Sequence, residues 1–432
     1  MCLLPPTLRQ VVPSPSTANS AAATPSLSTA SSGRRRRRQA VVDVPPILQF
    51  DSTTLASKSG FRWCTRPQCS TNRVARNIVT GTPGPNAEAQ TCDSLEKCFN
   101  LFIDDSFLDI VCAWTNRRIE IESIKYTKKT ATHRGMEREE QLAFIGVLIF
   151  SGCQKDGNKS TCDMWSTDIG SPLYRAAMSQ ARFEFLLHCL RFDNPQTREM
   201  RRATDKFAPI RELFDTFMEK CHKHYTPSEY LCVDEQLLGF RGRCPFRMYI
   251  PSKPAKYGIK LVLINDCKTK YLLGYNWFTS VPLVTDLLQN CGMTLVGSLK
   301  ANKQELPQKV KSKEDREPGT TAFLFTNEMT LVSYVPPRDK TKNKKLVLLL
   351  STMHSQPTLG EKGKPEVIEF YNSTKGGVDA FDEICALYSC NRKTKRWPLC
   401  VFYWIGNKSI HTPMGSEEVI VCHTPKAPEN ID

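Results

Sequence analysis

From Ser94 to Tyr225 the apolar positions recur at helical spacing. Ile210, Leu213, Phe214, Phe217 and Met218 fall at i, i+3, i+4, i+7 and i+8 behind Asp205, which the pattern offers as an N-cap. Further helices are predicted over Asp105–Arg118, Arg138–Ser151 and Ser179–Phe192. The longest apolar run, Leu142–Phe150, is too short to cross a bilayer and reads as a buried helix. The period then changes. Tyr230–Val233, Tyr257–Ile264 and Lys270–Tyr275 are short and rich in Val, Ile, Leu and Tyr, and the last two are separated by the turn-like Asn265-Asp266-Cys267-Lys268, so they read as strands. The first 48 residues are dominated by Ser, Thr, Ala and Pro and cannot bury enough surface to offset chain entropy, which predicts a disordered tail.

Charge changes the picture next. The chain has 432 residues, 40% of them hydrophobic, with 59 Lys and Arg against 44 Asp and Glu, a formal charge of +15. It is long enough for a sizeable core, and its excess of cations favours a polyanion, most commonly nucleic acid, since each neutralised phosphate releases counterions. Arg34, Arg35, Arg36, Arg37 and Arg38 form a basic run that reads as a nuclear import signal or a phosphate-binding arm, with a merely solvated run as the plain alternative. Eighteen cysteines are spread without any C-x-x-C, and the N-terminus lacks the charged and apolar regions of a secretory signal, so the thiols are expected reduced and a zinc ribbon is not expected. Cys221, His222 and His224 lie so close along one helix that they point in different directions, which favours core and surface over metal ligation.

The acids carry the candidate chemistry. Asp234 ends a predicted strand, where a carboxylate is held rigidly, and Asp379 and Asp382 follow Gly376-Gly377 at i, i+3 on one side of a predicted helix whose buried face is Val378, Phe381 and Ile384 or Cys385. Hard cations in two-metal phosphoryl transfer need carboxylate oxygens held in this way. Spacing alone leaves each Asp as readily a cap or a surface charge.

The surrounding words shift that balance. In this order, DEQLLGFRGRCPFRMYIPSKPAKYGIK, NWFTSVPL, VGSLKANKQELP, LLLSTMHS, YNSTKGGVDAFD and SCNRKTKRWP closely resemble the piggyBac transposase family and its host-domesticated derivatives, over about Phe50 to Ile405. The resemblance implies an α+β or α/β chain with an RNase H-like DDE/D core. In that scheme residues 49–228 are a helical dimerisation and DNA-binding region and 229–300 the first part of the core. Residues 301–365 are then a β-rich insertion, which strand-like Thr321–Val335 and Lys345–Ser351 fit, 366–405 the last core helix and 406–432 a polar tail. Asp234 takes the family's first catalytic position, Asp379 the third and Asp382 a nearby auxiliary acid, all three being metal ligands by the same match. Family members cut and rejoin DNA at TTAA with Mg²⁺, and water or a 3′ hydroxyl is the nucleophile.

Two departures follow. The family's second Asp stands directly before NWFTS, and here Tyr275 does; a segment of several tens of residues that precedes that Asp in relatives is absent between Gly274 and Tyr275. A phenol is neutral at pH 7 and a poor donor to Mg²⁺, and neither Asp266, in a predicted turn, nor Asp286, inside the next helix, is placed to substitute. The loss should remove one core helix and one strand. Either the strand Thr294–Leu299 then moves beside the strand of Asp234, or the sheet keeps an unpaired edge. The family's cysteine- and histidine-rich C-terminal zinc module is also absent, so no zinc is expected, and Mg²⁺ binding should be weak or lost. Lys303, Arg392, Lys393, Lys395 and Arg396, the last four followed by Trp397, are candidates to track a phosphate backbone, against the plain reading of a solvated helix end. The expectation is a nuclear, transposase-derived protein that binds double-stranded DNA, as a homodimer or with related chains, and does not cut. An active transposase and a functionless product of a decayed element or mis-spliced transcript are the alternatives.

Overall fold

The structure, a computed structural model, describes residues 46–68, 81–275, 279–312, 314, 316–337 and 345–411, with Tyr275 given by its backbone alone. The arginine run 34–38, most of the predicted N-terminal tail, and residues 412–432 lie outside the described residues. Twelve strands occur in chain order among the described residues: β1 (Thr54–Ala56), β2 (Arg62–Cys64), β3 (Gly84–Pro85), β4 (Tyr225–Thr226), β5 (Leu231–Gly239), β6 (Arg247–Tyr249), β7 (Tyr257–Asp266), β8 (Leu272–Tyr275), β9 (Val296–Ser298), β10 (Thr321–Phe325), β11 (Thr330–Tyr334) and β12 (Val347–Ser351). The chain is a mixed α/β protein of two compact units, one formed by the stretch up to Gly81 with Thr279–Ser373, the other by Thr82–Phe278 with Thr374 onward.

In the second of these, the predicted helices form as Asp105–Ser123, Arg138–Cys153, Gln180–Cys189 and Arg211–Lys223. Their starts are set by local chemistry: Asp104 accepts the N–H of Phe107 at 3.1 Å and Ser179 that of Arg182 at 3.3 Å. Asp205 does not cap the helix Arg211–Lys223. Its carboxylate takes the Phe207 N–H at 2.9 Å and Arg211 Nε at 2.8 Å, bracing the turn before the helix, and Ile210 is the cap residue. The apolar face read from the sequence, Leu213, Phe214, Phe217 and Met218, is buried as expected.

That face meets the helix Trp397–His411, which is buried on nearly every side. Phe214 stacks on Trp404 with centroids 5.6 Å apart, and Phe402 stacks on Phe192 at 4.9 Å and Phe107 at 6.5 Å. Large rings removed from water in this way contribute about 1.5–3 kcal/mol each. The helix passes beyond Ile405, so residues 406–411 are not part of a polar tail. Asn407 and Lys408 are buried because each has a partner: Asn407 Oδ1 accepts the Cys390 N–H at 2.8 Å, and Lys408 pairs with Asp382.

The sheet of this unit is antiparallel and centred on β7. β5 pairs with β7 along its whole length, from Leu231 opposite Asp266 to Gly239 opposite Gly258, while β6 and β8 pair with the other side of β7. Among the described residues β5 has no second strand neighbour. Of the two expected outcomes the unpaired edge is therefore the one found among the described residues, and the strand within Thr294–Leu299 does not pair with β5.

That strand, β9, closes the six-stranded sheet of the other unit, in the order β1-β2-β10-β11-β12-β9. Residues expected to form one strand-like stretch, 321–335, make a hairpin instead, with the Thr326 N–H donating to Met329 O at 2.8 Å across the turn. Side chains alternate between two cores: Leu324, Leu331 and Leu350 on one face with Val281 and Val284 of the helix Val281–Asn290, and Phe323, Val332 and Leu349 on the other with Val367 and Ile368 of the helix Glu366–Thr374. Both faces are covered, which explains why β10 and β11 are buried throughout. Residues 54–64 lie within the stretch expected to be helical, yet they add β1 and β2 here. The fully buried Trp63, whose Nε1 donates to Glu305 O at 2.8 Å, fixes that placement.

Candidate functional site

Along β5, side chains at Cys232, Asp234, Gln236 and Leu238 share one face by the twofold period of a strand. The helix Gly377–Leu387 lies over that face. Gly377 permits the approach, since a Cβ there would stand 2.9 Å from the Cys232 Cβ. Val378, Phe381 and Cys385 are buried as predicted, and Asp382 reaches Gln236 of β5. The three acids of the sequence pattern are thus brought to one region.

Each acid has its own engagement. Asp234 Oδ1 accepts the N–H of Glu235 at 2.7 Å. Burial pushes its carboxyl up from the ordinary value, and the neighbouring Asp379 charge adds to that effect. Asp379 remains largely exposed, with Lys253 Nζ at 3.8 Å. The same ammonium donates to Glu235 O at 3.0 Å, on the outer edge of β5. Asp382 Oδ1 accepts from Gln236 Nε2 at 2.6 Å and from Lys408 Nζ at 2.9 Å. Burial raises the Asp382 carboxyl, and Lys408 opposes the rise. Lys408 has no exposed side-chain surface and its Nζ lies 4.1 Å from the centre of the Phe381 ring. Gln236 also accepts from Trp404 Nε1, so one amide bridges the acid and the buried helix.

Sequence reasoning missed Gln236, Lys253 and Lys408. Lys408 left one signal, a cation in a largely apolar helix four residues after Trp404, where i, i+4 spacing puts it on the same face. The register also locates Tyr275. Leu263 of β7 lies opposite Asp234 on one side and Tyr275 on the other, so the Tyr275 backbone stands two strand spacings, about 10 Å, from Asp234.

The residues present do not fit a two-metal centre. Among the described residues no group of three or more His, Cys, Asp or Glu side chains is arranged to hold a metal ion. Asp382 Oδ1 is taken by Lys408 and Gln236, Asp379 Oδ1 faces Lys253, and Asp234 Oδ1 is taken by the Glu235 N–H. Asp266 is no substitute: its buried carboxylate accepts backbone N–H groups of Ser228, Lys268 and Thr269, which organises the turn after β7. Asp286 lies within the helix Val281–Asn290, where its Oδ1 accepts from Asn290 Nδ2 at 2.6 Å.

The candidate DNA contacts divide. The run from Arg392 to Arg396 is the connection before the helix Trp397–His411, not a helix end. Arg396 donates through Nη1 to Leu187 O at 2.9 Å and through Nη2 to Leu190 O, and Arg191 donates to His188 O at 2.9 Å and Leu190 O at 2.7 Å. Two guanidinium groups thus close the C-terminus of the helix Gln180–Cys189, where carbonyls lack intrahelical partners. Arg392 donates to Lys159 O at 3.1 Å. Lys393 and Lys395 are exposed. Lys303, in the other unit, is half-buried beside a surface depression lined also by Lys300, Asn302, Gln304 and Glu305.

Comparison with known proteins gives three likenesses. A family model described as Transposase IS4 matches residues 96–277 and 275–411. The human PiggyBac transposable element-derived protein 3 is 23% identical over 369 residues, which takes in 73% of this chain and 60% of that protein. The human Chimeric ERCC6-PGBD3 protein matches at the same identity with 33% of its length covered, so the chain spans less than two thirds of either curated relative. Among solved structures, a piggyBac transposase synaptic complex with hairpin DNA superposes with a TM-score of 0.70 at 36% identity, covering 76% of each chain.

Proposed function

Since this chain belongs to the piggyBac family of transposase-derived proteins, we propose that it binds DNA in the nucleus and has lost the strand cleavage of its ancestors. The observation that carries the reading is the row Asp234–Leu263–Tyr275: the position that the motif match gives to the second acid holds a phenol, while Asp382 accepts from Lys408 and Gln236 and Asp379 pairs with Lys253. The β5–β7–β8 sheet under the helix Gly377–Leu387 is read as a reduced RNase H-like core. Its bare β5 edge supports the loss of a strand between Gly274 and Tyr275, as does the family match, which breaks into two segments at residues 275–277. Magnesium-dependent chemistry at TTAA belongs on this reading to the ancestor. DNA binding rests on the net charge of +15, the exposed Lys393 and Lys395, and a solved relative that was captured with hairpin DNA. Arg34–Arg38 supply nuclear import, so changing all five to alanine should release a fluorescent fusion into the cytoplasm.

The test uses the purified full chain with a TTAA-containing plasmid and a labelled duplex. Binding that weakens steeply with salt, without nicking in Mg²⁺ or Mn²⁺, is expected. Nicking that disappears in Asp234→Ala would overturn the loss of cleavage, and no binding at low salt would overturn the DNA-binding reading.

A further inference from the structure

We propose that the ribbon of β6 and the start of β7 binds unpaired nucleic-acid bases, stacking them on Tyr249 and Tyr257 beside Arg247. The inference rests on the DNA-binding reading above and adds the form of nucleic acid that this surface takes. All three residues of β6 are exposed. Tyr249 and Tyr257 lie directly opposite each other in the register, their centroids 4.7 Å apart and their planes tilted by 39°, with 55% and 42% of their surface in solvent. A cross-strand aromatic pair normally contributes to packing, yet this one stands in solvent. Two large rings held in water at one spot mark a surface that meets a partner.

The chemistry around the rings selects the partner. Arg247 shares their face, two residues from Tyr249, with its guanidinium carbon 5.6 Å from the Tyr257 centroid. Its Nη1 donates to both Arg241 O and Gly242 O at 2.9 Å, which pins the planar group beside the rings. Between Gln236 and Asn265 the sequence has six cations and no acid. Lys253 and Lys260 face Asp379 and Glu235, whereas Arg241, Arg243 and Lys256 are exposed around the ribbon. The loop that joins the strands is closed by the Ile250 N–H on Lys256 O at 2.8 Å and contains Pro251 and Pro254, so the platform is ordered before a ligand arrives. A cationic rim suits any nucleic acid, but a duplex keeps its base faces in its own stack. Only unpaired bases can use the rings.

The experiment follows the anisotropy of labelled oligothymidylate, of an abasic strand of equal length and of a duplex, each titrated with the full chain. Oligothymidylate should bind more tightly than the abasic strand. Tyr249→Ala and Tyr257→Ala should each weaken oligothymidylate binding about 5- to 100-fold while leaving the abasic strand and the duplex unchanged. Tyr249→Phe and Tyr257→Phe should retain it, and thermal melting of every variant should match the parent because both side chains are exposed. Equal affinity for thymidylate and abasic strands, or alanine variants that weaken the duplex as much, would overturn the inference while leaving DNA binding in place. Failure to bind any of the three would overturn the DNA-binding reading and this inference with it.

Discussion

Lys408 has no exposed side-chain surface, and its ammonium lies 2.9 Å from Asp382. Removing one member of a buried pair leaves the other charge in a poor solvent. Lys408→Met should therefore cost about 3 kcal/mol in urea unfolding, and adding Asp382→Leu should recover most of it; a single variant as stable as the parent would contradict the assignment. Histidines set the pH dependence. His224, His354 and His411 are all held below the ordinary imidazole value, in each case chiefly by burial. For a base with a depressed folded pKa, the stabilisation is present above the unfolded value of about 6.5 and is lost as pH falls. The urea midpoint should thus drop as pH is lowered from about 7.5 toward 5, and a flat profile over that span would exclude the effect. Asp234 and Asp382 work in the opposite sense. Their raised carboxyls cost stability as pH climbs through the carboxylate range, which lies lower and is separable from the histidine window.

At the scale of elements, the run Arg392–Arg396 separates into structure and surface. Arg396→Ala removes a forked donor from the end of the helix Gln180–Cys189 and should cost about 1.5–3 kcal/mol, the range for hydrogen bonds to a charged group; Arg396→Lys should not restore it, since an ammonium lacks the fork. Lys393→Ala and Lys395→Ala should leave stability within about 0.5 kcal/mol and each lower the salt slope of DNA binding by about one. Thermal melts and a salt titration of binding check both halves. The sequence shows such a run as one word because spacing records charge but not what each side chain touches. Elements with a strong pattern were legible from the sequence: the buried face of Arg211–Lys223, the strands that became β7 and β8, and the helix that holds Asp379 and Asp382, whereas β5 was read only to Val233 and runs on to Gly239, which puts Asp234 inside the strand and not at its end. The two N-terminal strands were not legible. β1 and β2 are too short for a period to register, and their place depends on Trp63 reaching a core made by residues far along the chain.

For the whole molecule, the acids could be read from motifs, whereas their neutralisation could not. Gln236, Lys253 and Lys408 reach Asp382, Asp379 and the β5 edge from three separate stretches, a convergence that only the fold supplies. The β5 edge is guarded at its middle, where Asp234 takes the Glu235 N–H and Lys253 takes the Glu235 carbonyl, a local defence against strand addition. The unit that contains it is discontinuous, interrupted after Phe278 and resumed at Thr374. A chain ending at Ser373 should therefore be recovered mainly as aggregate, measured by sedimentation of the expressed protein, because the face of Cys232, Gln236 and Leu238 would lack both covering helices; a soluble, monomeric truncation would contradict this.

The interruption also sets a clock. Translation finishes β5 long before it reaches the helix Trp397–His411, and at the usual 5–20 residues per second that interval is roughly ten to thirty seconds. For all of that time the nascent strand waits wet on one face, so the yield of this protein in a cell should depend on how well chaperones hold an unfinished chain.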